Sequence, residues 1–182
     1  MPVYVSMLRG INVGGNRRIK MDALRQSFEA LGFEQVKTFI QSGNAVYKSQ
    51  KTSATMLSNK IEKRLFQDFG FSVRVISRTV DEMTETIENN PFVATSGLDR
   101  EKFHVMFLSA SPTPLAVTNL NAIASPPDQF RCIGKDIYLY LPNGAGESKF
   151  MKSPLDRLLS VVTTTRNWRS VNSLLEMCRD CR

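Results

Sequence analysis

Along the chain, apolar residues fall into strand-like runs and helix-spaced series whose order recurs. "VYVSMLRG" (Val3 to Gly10) reads as a strand, and Met21, Leu24, Phe28 and Leu31 follow at helical spacing until Gly32 ends the series. "VKTFIQSGNAVYKS" then has two β-rich runs around Ser42-Gly43, the pattern of a hairpin whose glycine can take the positive φ of a tight turn. Ser53 stands where a helix needs a cap, ahead of Leu57, Ile61, Leu65 and Phe69 on one face and Gly70 at the end. "FSVRVIS" returns as a strand. The order is βαββαβ.

Thr79 and Glu82 have capping-box spacing, which predicts a helix over 79–89 stopped by Asn90-Pro91. "ATSGLDRE" is a polar boundary, and beyond it the pattern returns. The strand "KFHVMFLS" leads to a helix over 114–124 that ends at Pro126-Pro127, and the hairpin "DQFRCIGKDIYLYLP" turns at Gly134-Lys135. A helix starts at Ser153-Pro154, and a last one carries Trp168, Val171, Leu174, Leu175 and Cys178 on its apolar side. No final strand is read in the second half.

A βαββαβ unit most simply folds as a ferredoxin-like plait, an antiparallel sheet with helices on one face. The expected class is α+β, with two ferredoxin-like (alpha-beta plait) subdomains, helices packed on both antiparallel sheets, and a helical C-terminus. Residues 1–78 are expected to form the first subdomain, 79–99 a connecting helix and linker, and 100–182 the second subdomain with the C-terminal helices. "FHVMFLS" is apolar or nearly so at every position, so that strand should be covered on both faces.

Composition narrows the class. A chain of 182 residues with 42% apolar content buries roughly 70% of its unfolded surface on folding. No leader-like segment opens it and no apolar run approaches the ~20 residues of a membrane span. Three cysteines, two of them near the end, do not form a secreted disulfide framework. A cytoplasmic protein without membrane contact is expected. The net charge of +7 is spread over both halves, so it marks solubility as readily as nucleic-acid binding.

"MLRGINVGGNRRIKM", "LGFEQVKTFIQSGNAVY" and "TTTRNW" together resemble the bacterial family known as domain of unknown function 1697, over nearly the whole chain. The resemblance implies a pair of ferredoxin-like subdomains in one compact protein. It implies no established activity, substrate or cofactor, and it carries over no catalytic residue.

The chemistry must then be read from the residues. From Arg9 to Lys20 the chain holds four cations, three glycines, two asparagines and no acid. In a plait the first two strands run parallel, so the loop leaving strand one lies at the same sheet edge as the tip joining strands two and three. Arg9, Asn12, Asn16, Arg17, Arg18 and Lys20 should therefore face Gln41, Ser42 and Asn44. Gly14-Gly15 permits close backbone approach and exposes N–H groups, and the next helix presents its positive end, so a phosphate or carboxylate is the natural occupant. The competing reading is plain. Glycine and asparagine fill ordinary loops, "GxxxGG" matches no nucleotide fingerprint, and Gln41, Ser42 and Asn44 would then serve only the turn.

Other motifs carry less. "VYVSML" resembles the first ribonucleoprotein motif of RNA-recognition modules, with Tyr4 as the stacking residue, but Asn44 and Val46 stand where further stacking rings belong. Cys178 and Cys181 have redox spacing, with Cys132 and His104 the remaining metal-ligand candidates, so an exposed thiol pair and no metal or cofactor are expected. His104 reads as a partly buried structural ring, and no nucleophile elbow or HExxH accompanies it. "NGAGESK" reads as a second anion site or, in preference, as the start of a helix. In "TTTRNW", Thr165 or Asn167 should cap the last helix, Trp168 should anchor it, and Arg166 is the member expected to face a ligand. Three function classes follow: a binder of an anionic small molecule, a nucleic-acid-associated module using the same basic loop, and a structural or regulatory interaction protein. No general base stands out, so no reaction is assigned, and the oligomeric state is not read from the sequence.

Overall fold

A computed structural model describes residues 1–181. The chain divides into two units, one of Met1–Thr84 with the end of the last helix from Ser173, the other of Glu85–Asn172. The first holds strands β1 (Val3–Leu8), β2 (Glu34–Phe39), β3 (Asn44–Lys48) and β4 (Val75–Thr79), with helices α1 (Met21–Glu29) and α2 (Ala54–Phe69). Helix α3 (Val80–Glu88) follows β4, and the second unit continues with β5 (Phe103–Leu108), α4 (Pro114–Ile123), β6 (Gln129–Ile133) and β7 (Asp136–Tyr140). Helices α5 (Lys149–Lys152) and α6 (Leu155–Leu159), strand β8 (Thr163–Asn167) and helix α7 (Trp168–Arg179) complete it.

Each sheet has four antiparallel strands, ordered β2-β3-β1-β4 and β6-β7-β5-β8, the ferredoxin-like order in both. On the helix side of the first sheet, Tyr4 and Leu8 of β1 and Tyr47 of β3 join Leu24 and Phe28 of α1 and Leu57, Ile61 and Leu65 of α2 in one core. The second sheet buries Met106, Leu108, Ile137 and Leu139 with Ala116, Leu120, Leu155 and Leu159 of its helices. Every side chain of β1 is buried, and of β5 all but half-buried His104, so both central strands are covered on both faces. Tyr4 is unavailable for stacking, since its ring lies in the core and its hydroxyl donates to Thr52 O at 3.0 Å.

Local signals act as the pattern implies. Ser53 Oγ accepts from Met56 N–H at 3.2 Å, and Gly70 closes α2 at φ 75°. Thr79 and Glu82 form a reciprocal capping box, Thr79 N–H to Glu82 Oε2 at 2.9 Å and Glu82 N–H to Thr79 Oγ1 at 3.1 Å.

Two expectations need correction. A final strand does exist in the second half, β8, pairing with β5 in the register Val105↔Arg166. It escapes a search for apolar alternation because its buried positions are Thr163, Thr164 and Arg166, whose β-branched or hydrogen-bonded side chains suit a strand without being hydrophobic. The cysteines are not exposed either: Cys178 and Cys181 are 0% and 1% accessible. Among the described residues no group of three or more His, Cys, Asp or Glu could hold a metal, and no helix is long and apolar enough to cross a membrane.

Several contacts recur in both units. Leu8 N–H donates to Gly43 O at 2.8 Å and Leu108 N–H to Lys135 O at 2.9 Å; Arg9 N–H donates to Arg74 O and Ser109 N–H to Val162 O, each at 2.9 Å. Arg78 lies opposite Val5 as Arg166 lies opposite Val105, and each guanidinium donates through Nη1 to the carbonyl of the residue before it.

A buried hydroxyl chain ties the first sheet together: Ser6 Oγ lies 2.8 Å from Tyr47 Oη and 2.7 Å from Ser77 Oγ, which also accepts from Ser58 Oγ at 3.1 Å. Burial pushes the Tyr47 hydroxyl pKa up, so it stays protonated. Ser6→Ala removes the middle of this chain and is expected to cost about 1–3 kcal/mol, read from urea unfolding. His104 supplies a second check. Burial lowers its pKa, so the folded chain refuses a proton that the unfolded chain takes up below about pH 6.5. Stability should be full above that pH and fall as pH drops through it; in His104→Gln the difference between pH 7.5 and 5.5 should shrink.

Candidate anion site at the edge of the first sheet

The bond from Leu8 N–H to Gly43 O brings the chain leaving β1 against the tip of the β2–β3 hairpin. From there residues 9–20 form a small hairpin finger. Its base is anchored by Ile11 and Ile19, both buried in the first core. Asn12 braces it with its whole amide: Nδ2 donates to Ile19 O at 3.0 Å and to Gln41 O at 2.8 Å, while Oδ1 accepts from Ile19 N–H at 2.9 Å. At the tip Val13 and Asn16 form an antiparallel bridge across Gly14 (φ 60°) and Gly15 (φ 80°), the positive pair that a type I′ turn demands. These glycines serve the turn. The N–H of Asn16 is taken by Val13 O at 3.3 Å, and a Cβ on Gly14 would meet nothing within 4 Å.

Finger and tip together wall an open pocket of about 430 Å³. Arg18 and Lys20 supply its charge, Met21 its apolar surface over buried Ile19, and Asn12, Gly15 and Gln41 the rest. Of the candidate residues read from the sequence, Asn12, Gly15, Arg18, Lys20 and Gln41 therefore meet here. Arg9, Gly14, Asn16, Arg17, Ser42 and Asn44 do not line it. Asn44 is fully buried, with Nδ2 donating to Phe39 O at 3.0 Å and to Ser42 Oγ at 3.1 Å, which is the turn-closing role of the competing reading. Half-buried Arg9 has its pKa lowered, first by desolvation and then by the charge of Arg17.

The pocket is basic without internal compensation. Among the described residues, the side chains of Arg17, Arg18 and Lys20 make no hydrogen bond or ion pair. Lys20 also occupies the N-cap of α1 with no side-chain cap, while Asp22 in the first turn is drawn toward Arg25 at 4.0 Å. The walls missed in the sequence are Ile19 and Met21. Their position just before the helix was visible, but Ile19 looks like an ordinary core residue until the finger folds.

The second unit is an internal control. β1 ends at Leu8 and α1 starts at Met21, so twelve residues (9–20) join them; β5 ends at Leu108 and α4 starts at Pro114, so five (109–113) suffice. The plait closes without a finger. "NGAGESK" is a helix start, Ser148 Oγ accepting from Met151 N–H at 3.1 Å. Arg166 is buried in β8, donating to Thr164 Oγ1 and Thr165 O at 2.8 Å each, and burial lowers its pKa to about 10. Asn167 caps α7, accepting from Ser170 N–H at 2.8 Å.

The sequence profile of the protein family of unknown function DUF1697 matches residues 1–138, a span that includes the finger, the hairpin tip and the sheet between them. The chain belongs to the DUF1697 family. A solved structure, described as conserved bacterial protein SP0830 from Streptococcus pneumoniae, is similar over 97% of this chain and 98% of that one, with TM-score 0.76 and 22% identity. That likeness is one of fold. No curated protein matches the chain in sequence.

Gly43 holds finger and tip in contact. It sits at φ 81°, and a Cβ there would lie 2.5 Å from Ile11 Cδ1. Gly43→Ala is expected to cost about 1–3 kcal/mol and to lower the thermal midpoint by roughly 3–10 °C. Gly14→Ala, with the same sign of φ but open surroundings, should cost less.

Proposed function

We propose that this protein binds a small anionic ligand, phosphate-bearing, in the pocket between the 9–20 finger and the 40–43 tip. The observation that carries the reading is that Arg18 and Lys20 reach one pocket with no side-chain partner for either charge among the described residues. Two cations facing one pocket suit an anion, which accepts charge-assisted hydrogen bonds from both. The finger itself supports the reading, because the second unit forms the same plait with a connection less than half as long. Connections well beyond the usual length are commonly retained for binding. We place the protein in the bacterial cytoplasm, where its three cysteines would remain the free thiols seen here. No reaction is assigned, since no general base lines the pocket.

The test is calorimetric titration with inorganic phosphate at low and moderate salt. The double variant Arg18→Ala, Lys20→Ala should lose about 100-fold or more in affinity, as expected for two charge-assisted hydrogen bonds. Its thermal midpoint should match the wild type, because both side chains are exposed and have no partner among the described residues. Unchanged phosphate affinity in the double variant rejects the site. Affinity that instead grows with oligonucleotide length and collapses with salt would assign the basic finger to nucleic acid.

A further inference from the structure

We infer, resting on the anion reading above, that the ligand is an organic phosphate monoester whose phosphoryl group meets Arg18 and Lys20 and whose body lies along Met21 toward Gln41. Size is the first argument. A bare phosphate fills a small part of about 430 Å³, a volume within the ~300–1,000 Å³ typical of sites for whole organic ligands. The division of the walls is the second. Charge is confined to Arg18 and Lys20, whereas partly buried Met21 offers apolar surface that a fully hydrated inorganic ion cannot use. Gln41 is the third. Its backbone carbonyl is occupied by Asn12 Nδ2 at 2.8 Å, which fixes the residue at the rim, yet its exposed side-chain amide has no partner among the described residues. A primary amide offers two donors and an acceptor, so it suits a hydroxylated or heteroaromatic body better than a second anionic group. The three features together describe a nucleoside monophosphate or a sugar phosphate, in which one dianionic end is joined to a body with hydrogen-bonding groups.

The experiment titrates the full chain with inorganic phosphate, ribose 5-phosphate, adenosine 5′-monophosphate and adenosine, using the wild type, Gln41→Leu, and the Arg18→Ala, Lys20→Ala double variant. The wild type should bind at least one monoester about tenfold more tightly than inorganic phosphate, the gain expected from one or two added hydrogen bonds and some apolar contact. Gln41→Leu should erase most of that preference while leaving affinity for inorganic phosphate unchanged, and the double variant should lose both. Adenosine should bind at least 100-fold more weakly than its monophosphate. Equal affinity for phosphate and both monoesters overturns the inference and leaves the anion site standing. A preference that survives in Gln41→Leu removes Gln41 from recognition. Absence of binding by phosphate and both monoesters overturns the anion site itself, and adenosine binding as tightly as its monophosphate overturns the phosphoryl anchor.

Discussion

The hydrogen bond from Leu8 N–H to Gly43 O is the constraint on which the candidate site depends. β1 is the central strand of its sheet, paired on both sides and buried on both faces, so it has almost no freedom to slide or tilt. The chain must therefore emerge at Leu8 beside the hairpin tip. Ile11, Ile19 and the braced amide of Asn12 then convert that position into a stiff finger. A ligand site built this way is rigid at its base and open at its rim. Such a site loses little ordering entropy when it binds.

The two halves share a scaffold and differ at their edges. Strand pairs, the bond closing each hairpin onto its central strand, the buried arginine opposite a central valine and the cap before the following helix all recur. The residues are seldom the same: Thr79 caps one helix through a box with Glu82, and Asn167 caps the other alone. What recurs is the physical requirement at each position. What does not recur is the finger, which makes it the part of the first unit that the plait itself does not demand.

Charge has a similar division of labour. The +7 excess is distributed along the chain, and some of the cations are held in local pairs, such as Arg64 with Asp68 at 2.7 Å and Arg25 with Glu29 at 2.7 Å. Exposed pairs of this kind contribute little to stability. Arg18 and Lys20 differ from them by converging on one concave surface with no carboxylate in its walls. Concavity and lack of compensation, rather than net charge, distinguish a binding site from a solvated face.

The order βαββαβ, the capping box at Thr79, the serine cap at Ser53 and the two hairpin turns were legible in residues alone, because each depends on neighbours within a few positions. The doubled plait followed, since few sheet orders suit that succession of elements. The meeting of finger and tip was legible too, as a consequence of strand direction. Strand β8 was not, because threonine and arginine reveal strand character only when β5 lies alongside to pair with them. Nor was the burial of Cys178 and Cys181, or the difference between Asn12, whose amide is wholly taken up by backbone groups, and Gln41, whose amide is not. Those outcomes depend on residues up to 63 positions away, as in the pairing of His104 and Asn167, and on which hydrogen-bonding groups the backbone has already claimed. Local sequence sets which elements form; only packing in three dimensions decides which polar side chains are left over to meet a ligand.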